Sequence, residues 1–302
     1  MTKMEKKELS ILIPAYNTIC SRLVSDLNRQ AEGLGISYEI IVAEDGSTDT
    51  KAVEANKEMM ASLPHCRHLV RQENMGRAAI RNLLAREARY NWLLFIDSDM
   101  AVKNEDYLLR YLNAEEAEVV DGGVSIDGDP SALNSNLRYI YEKASEQQHT
   151  AEQRQLRPYQ HLHTANLMMS REVMMRCPFD ERFRRYGYED VLMGKRLRLQ
   201  QTPILHIDNP LSFCTFEDNR RFVEKTEEGL RTLHEFRNDL RGYSSLLTLV
   251  EGIHVSGVKW LLRQLFKTFK HPMRHNLCGR RPSLCLFKLY KLGYFLTLTD
   301  NH

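Results

Sequence analysis

Short apolar runs alternate with amphipathic stretches through the first hundred residues. The run at 9–14 (LSILIP), closed by proline, predicts a buried strand. Residues 18–34 predict a helix with Leu23, Leu27 and Leu34 on one side, ended by Gly33 and Gly35. A second apolar strand is predicted over 38–43 (YEIIVA), followed by a helix over 49–62 with Asp49 as its N-cap. Residues 67–71 (RHLVR) read as a weaker strand, and 77–90, rich in Ala, Leu, Arg and Glu, as a helix. The most apolar strand is 92–96 (WLLFI). This order predicts an α/β fold, a mostly parallel sheet flanked by helices on both faces. Ligands of such sheets sit beyond the carboxyl ends of the strands. Three polar clusters fall at those ends: Ala15-Tyr16-Asn17, Glu44-Asp45-Gly46-Ser47 and Asp97-Ser98-Asp99.

Beyond residue 100 the pattern is less regular. Strands are predicted over 118–124, 163–169 and 203–207, mostly polar helix over 131–155, and an amphipathic helix over 189–200. From Asn219 onward the chain reads as helical. No internal repeat is evident.

Composition narrows the class. Of 302 residues, 42 % are apolar and 27 % charged, values of a globular chain with a proper core. No apolar run reaches the ~18 residues that span a bilayer. The apolar stretch after the charged start of the chain (MTKMEKKE) is too short for a secretory signal. Six cysteines without a CxxC pair read as reduced thiols, which points to a cytoplasmic protein.

The net charge of +2 hides an asymmetry: from Arg241 to the end there are ten Lys/Arg and two Asp/Glu, so the tail carries +8 and the body −6. In 257–270, Val258, Leu261, Leu262, Leu265 and Phe269 share one helical face, and Lys259, Arg263, Lys267 and Lys270 another. A second such stretch, 284–298, carries Phe287, Tyr290, Tyr294 and Phe295 with Lys288 and Lys291. The pattern over 255–298 suits an anionic membrane surface, which would make the protein peripheral on the inner face of the cytoplasmic membrane. The Leu/Phe content suits lipid better than nucleic acid. The competing reading docks these helices on the rest of the chain or on a second copy.

Four motifs carry chemistry. Carboxylates at i and i+2 after a buried strand, Asp97 and Asp99 around Ser98, can both face a hard divalent cation, Mn2+ or Mg2+, that also binds a diphosphate. Such tripeptides are also common in loops and helix caps. Glu189-Asp190 opens a helix after Arg185-Tyr186-Gly187-Tyr188. Acids in a first turn are favoured electrostatically, and a carboxylate there can also accept a proton from an attacking hydroxyl while Tyr188 stacks on a sugar. His206, near the end of a short strand, is either a satisfied core residue or a ligand completing a Mn2+ site. Asn74-Met75-Gly76 precedes a helix whose N-terminus, with Arg77 and Arg81, can face phosphate, or is a plain turn before a solvated helix.

Together these residues resemble the family 2 glycosyltransferases of GT-A fold, within them the bacterial enzymes of surface polysaccharide. The resemblance covers roughly residues 8–215 through Ile11–Asn17, Glu44–Asp49, Asn74-Met75-Gly76 with Ala79–Asn82, Phe95–Asp99 and Gly187–Asp190. It implies a catalytic domain over 1–215, with a nucleotide-binding half (8–100) and an acceptor half (101–215), and a basic helical extension over 216–302. By that resemblance Pro14, Ala15 and Tyr16 line a nucleotide base, usually uracil, and Asp45 hydrogen-bonds it. Asn74, Gly76, Arg81 and Ser98 complete the nucleotide site. Asp97 faces ribose or metal, Asp99 binds the metal, and His206 is the third ligand. Ala165 and Asn166, in Thr164-Ala165-Asn166, lie beside the donor sugar with Tyr188. Asp190 is the base, and Glu189 positions acceptor or sugar. Two departures stand out: Glu44-Asp45 replaces a pair of aspartates, and Ala165 a commoner glycine.

The resemblance implies metal-dependent transfer of a hexose from a nucleotide sugar, a UDP-sugar, to a glycan or lipid-linked acceptor. One base on the far face implies inversion. A sugar-phosphate nucleotidyltransferase would need a glycine-rich basic loop after the first strand, where Pro14–Asn17 stands. An inactive scaffold is disfavoured by the intact Asp97, Asp99, Glu189 and Asp190.

Overall fold

The computed structural model describes residues 6–114 and 117–299, with the side chain of Ser256 left aside. The first five residues, part of the segment read as too short for a signal, lie outside the described residues. The chain runs β1 (Glu8–Ala15), α1 (Ser21–Leu34), β2 (Ser37–Asp45), α2 (Thr50–Ser62), β3 (Cys66–Arg71), α3 (Arg77–Glu87), β4 (Trp92–Ile96), β5 (Met100–Ala101) and α4 (Tyr107–Asn113). The middle follows as β6 (Val119–Asp121), β7 (Val124–Ile126), α5 (Pro130–Leu133), α6 (Leu137–Ser145), α7 (Ala151–Leu156), β8 (Asn166–Ser170), α8 (Arg171–Arg176) and α9 (Glu189–Leu199). It ends with β9 (Ile204–His206), β10 (Leu211–Phe213), α10 (Asn219–Glu235), α11 (Ser245–Gly252), α12 (Ser256–Leu277) and α13 (Leu284–Leu298).

Two compact units divide the chain. The first holds residues 1–127, 148–184 and 193–215; the second gathers 216–302 with 128–147 and 185–192. Glu189 and Asp190 therefore count with the helical unit.

The first unit is built on a seven-stranded sheet of order β3-β2-β1-β4-β8-β6-β9. β1 pairs in parallel with β2 and β4, and β2 with β3. β8 then runs antiparallel to both β4 and β6, and β9 returns parallel to β6. The fully buried run Trp92–Ile96 and the buried face of β2 explain why these strands read as continuous apolar stretches rather than alternating ones. Asp49 caps α2 by accepting from the Lys51 and Ala52 amides, as the sequence suggests.

The strand read over 118–124 is two strands. Gly122 and Gly123 break it, and the chain leaves the large sheet for a three-stranded one of order β5-β10-β7. The break has a packing cause: a Cβ on Gly122 would stand 2.4 Å from the Tyr111 hydroxyl and 2.5 Å from Asn166 Nδ2.

In the second unit, an aromatic core joins α6, α10, α12 and α13. Tyr141, Phe222 and Phe287 meet with ring centroids 5.2–6.3 Å apart, and Phe266 meets Tyr290 at 5.3 Å. Glu227 of α10 accepts hydrogen bonds from Arg274 of α12 at 2.6 Å and from Tyr290 of α13 at 2.5 Å.

Candidate active site

In the sheet order β3-β2-β1-β4, successive strands are laid down in one direction and then the other, so the chain reverses between β1 and β4. Such a switch point opens a crevice at the strand ends. Ala15–Asn17 leaves β1 there and Asp97–Asp99 leaves β4.

Hydrogen bonds tie the loops around this crevice together. Asn17, held at φ 52°, donates its backbone amide to the Ser47 hydroxyl oxygen at 3.0 Å. Its side-chain oxygen accepts from the Thr48 and Asp49 amides at 2.7 and 2.8 Å. The loops after β1 and β2 are thus locked to each other. Tyr16 projects from this lock half-exposed at 49 %, Pro14 is partly buried and Ala15 buried. An exposed ring on a fixed loop is suited to stacking on a flat base.

Asp45 is buried, and its carboxylate accepts from the Met75 amide at 3.2 Å and the Gly76 amide at 2.9 Å. Burial pushes its carboxyl above the usual range despite these bonds and the nearby Arg71. Asp45 thereby shapes the Asn74–Gly76 loop, in which Asn74 is exposed and Gly76 buried. Burial also pushes neighbouring Glu44 up, but hydrogen bonds from His68, Ser47 and Asn56 outweigh it and hold that carboxyl below the usual range.

Asp97 Oδ1 lies 2.6 Å from the Arg81 guanidinium, and Oδ2 lies 3.5 Å from that of Arg77. Arg81 is fully buried, so α3 sends two cations beneath the strand end, the inner one as a structural counter-charge. The Asp97 amide donates to the Ala165 carbonyl, which ties β8 to this loop. Ser98 and Asp99 remain partly exposed.

Among the described residues, no three His, Cys, Asp or Glu side chains gather as metal ligands. Asp99, partly exposed beside an arginine-held Asp97, is an oxygen donor of the type that hard divalent cations take.

Two sequence-predicted roles need correction. His206 is buried with both ring nitrogens engaged: Nδ1 accepts from Arg154 at 2.9 Å, and Nε2 donates to the Pro158 carbonyl at 3.0 Å. A metal ligand needs a free imidazole lone pair, and the only one is turned to the guanidinium, so His206 leaves the ligand set. Asn166, read as a sugar contact, is fully buried. Its oxygen accepts from the Tyr107 and Tyr111 hydroxyls at 2.6 and 2.7 Å, and its amide donates to the carbonyls of Gly123 and Asn209 at 2.7 and 2.9 Å. No hydrogen-bonding capacity is left for a sugar.

Both residues belong to a buried network that the sequence did not announce. At its centre Asp121, at the end of β6, meets Arg154 at 2.8 Å. Burial raises its carboxyl, but His163, Arg154 and His206 outweigh burial and hold it low. His149 and His163 pack nearby with ring centroids 5.4 Å apart, and burial with neighbouring positive charge lowers His149 to about 4. A carboxylate closing the apolar pair Val119-Val120 was the one available signal, of the same kind as Asp97 after WLLFI; Arg154 gave none.

In the second unit, Gly187 and Tyr188 both take positive φ, 96° and 70°, directly before Glu189. A left-handed backbone is costly for tyrosine and persists only when its surroundings impose it. Here α10 does so: Glu228 accepts from the Tyr186 amide at 3.2 Å, and the Thr232 hydroxyl donates to the Tyr186 carbonyl at 3.0 Å. This kink starts α9 with Glu189 buried and Asp190 partly exposed.

Comparison with known proteins agrees with this architecture. Residues 10–177 match the model of "Glycosyl transferase family 2". An uncharacterized glycosyltransferase of Haemophilus influenzae is 32 % identical over 35 % of this chain and 41 % of its own. The chondroitin synthase of Escherichia coli is 32 % identical over 42 % of this chain and 18 % of its own. The chain thus spans well under half the length of these curated relatives. Among solved structures, the mannosyltransferase PcManGT of Pyrobaculum calidifontis, with GDP-Man and Mn2+, superposes with a TM-score of 0.53 at 12 % identity, covering 100 % of this chain and 90 % of that one. TarS 1-349 of S. aureus with UDP-GlcNAc gives 0.52 at 15 %, covering 97 % and 90 %. At such identities the likeness shows the fold, GT-A. With more than half of its length matched by the family model, the chain belongs to glycosyl transferase family 2.

Proposed function

We propose that this protein transfers a hexose from a nucleotide sugar, with UDP as the nucleotide, to a glycan or lipid-linked acceptor in surface-polysaccharide synthesis. The observation that carries the reading is the locked rim at the β1/β4 switch point, where Asn17, Asp45 and Asp97 fix four loops around a crevice at the strand ends. Such a rim suits a nucleoside diphosphate: an exposed Tyr16 ring for the base, and backbone amides and an α3 cation near the phosphates.

The acceptor hydroxyl attacks the anomeric carbon, the bond from that carbon to the diphosphate oxygen breaks, and the hydroxyl proton passes to Asp190. Attack opposite the leaving group inverts the anomeric centre, so an α-linked donor gives a β-linked product. Glu189, buried beside Asp190, positions sugar or acceptor, and Tyr188 offers its ring face. Asp99 would hold Mn2+ or Mg2+, whose chemistry when bound is to neutralise the departing diphosphate. The fold-sharing complexes with UDP-GlcNAc and with GDP-Man and Mn2+ support this donor class.

A thermal-shift screen of nucleotide sugars with and without Mn2+ tests the reading. A UDP-sugar that raises the melting temperature only in the presence of metal supports it. No response to any nucleotide sugar would refute it.

A further inference from the structure

In the helical unit, α12 and α13 pack side by side, and a groove of about 450 Å³ runs along them. Its lining is entirely apolar and includes Leu262, Leu265, Phe266, Phe269, Met273 and Leu289. It opens beside an uncovered stripe: Val258, Leu261, Leu265 and Phe269 follow helical spacing on α12 and are 43–52 % exposed, with Trp260 next to them at 58 %. A large apolar area left to water marks an interaction surface. Among the described residues, no helix is long and apolar enough to cross a membrane.

Charge identifies the occupant. From Gly252 to Thr299 there are nine Lys and Arg and no Asp or Glu. Some of these cations are consumed within the unit, such as Arg274 on Glu227 and Lys291 on the Tyr141 hydroxyl. Arg280, Arg281 and Lys288 are exposed. A second copy docked face to face through this same surface would bring like charges together. An acidic lipid surface supplies the missing counter-charge and hydrocarbon for the groove. We infer that the α12–α13 pair is an in-plane anchor in an anionic lipid leaflet, with Trp260 at the headgroup boundary and the groove filled by acyl chain. The inference does not depend on the transferase reading, and its test uses no nucleotide sugar.

The full chain is mixed with vesicles of phosphatidylcholine, alone or with phosphatidylglycerol, and followed by flotation and tryptophan emission. Trp92 is buried, so a change in emission reports Trp260. The protein is expected to float with the phosphatidylglycerol vesicles and its emission to shift to the blue, with little binding to phosphatidylcholine alone. The double variant Leu265→Glu/Phe269→Glu changes exposed positions and is expected to keep the wild-type melting temperature while its vesicle partition falls at least about tenfold. Variant Arg280→Glu/Arg281→Glu/Lys288→Glu should lose the preference for acidic lipid. Wild-type protein that ignores acidic vesicles, or a groove variant that binds them like wild type, overturns the inference. So does a dimer that the groove variant dissolves in the absence of any vesicle binding.

Discussion

Asp97 and Asp121 both end buried strands of the same sheet, and both meet a buried arginine, yet they sit in different surroundings. At Asp97 the arginines come from beneath, and the next residues, Ser98 and Asp99, stay partly open to solvent. At Asp121 the chain closes over the carboxylate: Arg154, His163 and His206 surround it, and the next turn is sealed by Asn166 and two tyrosines. The first arrangement can meet a ligand; the second spends its polar groups on holding three strands and α7 together. A polar cluster at a strand end is therefore a candidate site when residues beside it stay open to solvent.

Substitutions can break this contrast. Arg154→Leu strips a fully buried carboxylate of its guanidinium partner and should cost about 3–5 kcal/mol, read as a large fall in the urea midpoint. A wild-type midpoint would place the Asp121 network outside the structural role assigned here. Asp99→Ala should do the reverse, lowering turnover about a hundredfold or more with the melting temperature nearly unchanged. Asn166→Ala removes the side-chain partner of the Tyr107 hydroxyl and of the Asn209 carbonyl, while Tyr111 keeps the residue-166 carbonyl and the Gly123 carbonyl keeps the Leu211 amide, and should destabilise by about 1–3 kcal/mol. A raised KM for donor at unchanged stability would instead restore Asn166 as a sugar contact.

The smallest effect is with pH. His149 sits at about 4 against an ordinary 6.5 because burial and neighbouring cations disfavour its charged form, and burial lowers His161 and His206 as well. The unfolded chain binds these protons first, so the stability from the neutral rings is complete above about 6.5 and is lost as pH falls towards about 4. Melting temperatures across that window should decline, and His149→Gln should flatten the decline.

The parallel half of the fold was legible because each strand there is a closed apolar run; the reading of 92–96 coincides with β4, and Asp49 as a cap needed only local sequence. The break of 118–124 at Gly122 was not legible, since it depends on Tyr111 and Asn166 arriving from elsewhere in the chain. The same distance hid the fates of His206 and Asn166. Asp121 lies opposite His206 in β9 and opposite Leu167 in β8, so whether these side chains face solvent or one another depends on a register formed across many residues. Motif spacing at 97–99 and 187–190 named candidate groups; the positive φ of Tyr188, imposed by α10, could only be seen in the fold.

The account rests most heavily on Asp190 as the proton acceptor in sugar transfer. UDP release from a UDP-sugar in the presence of Mn2+ should be measured for wild type and Asp190→Asn, alongside UDP binding by each. The account predicts steady release by wild type and a loss of about a hundredfold or more in the variant, with UDP affinity preserved. Equal turnover by the two proteins would contradict it.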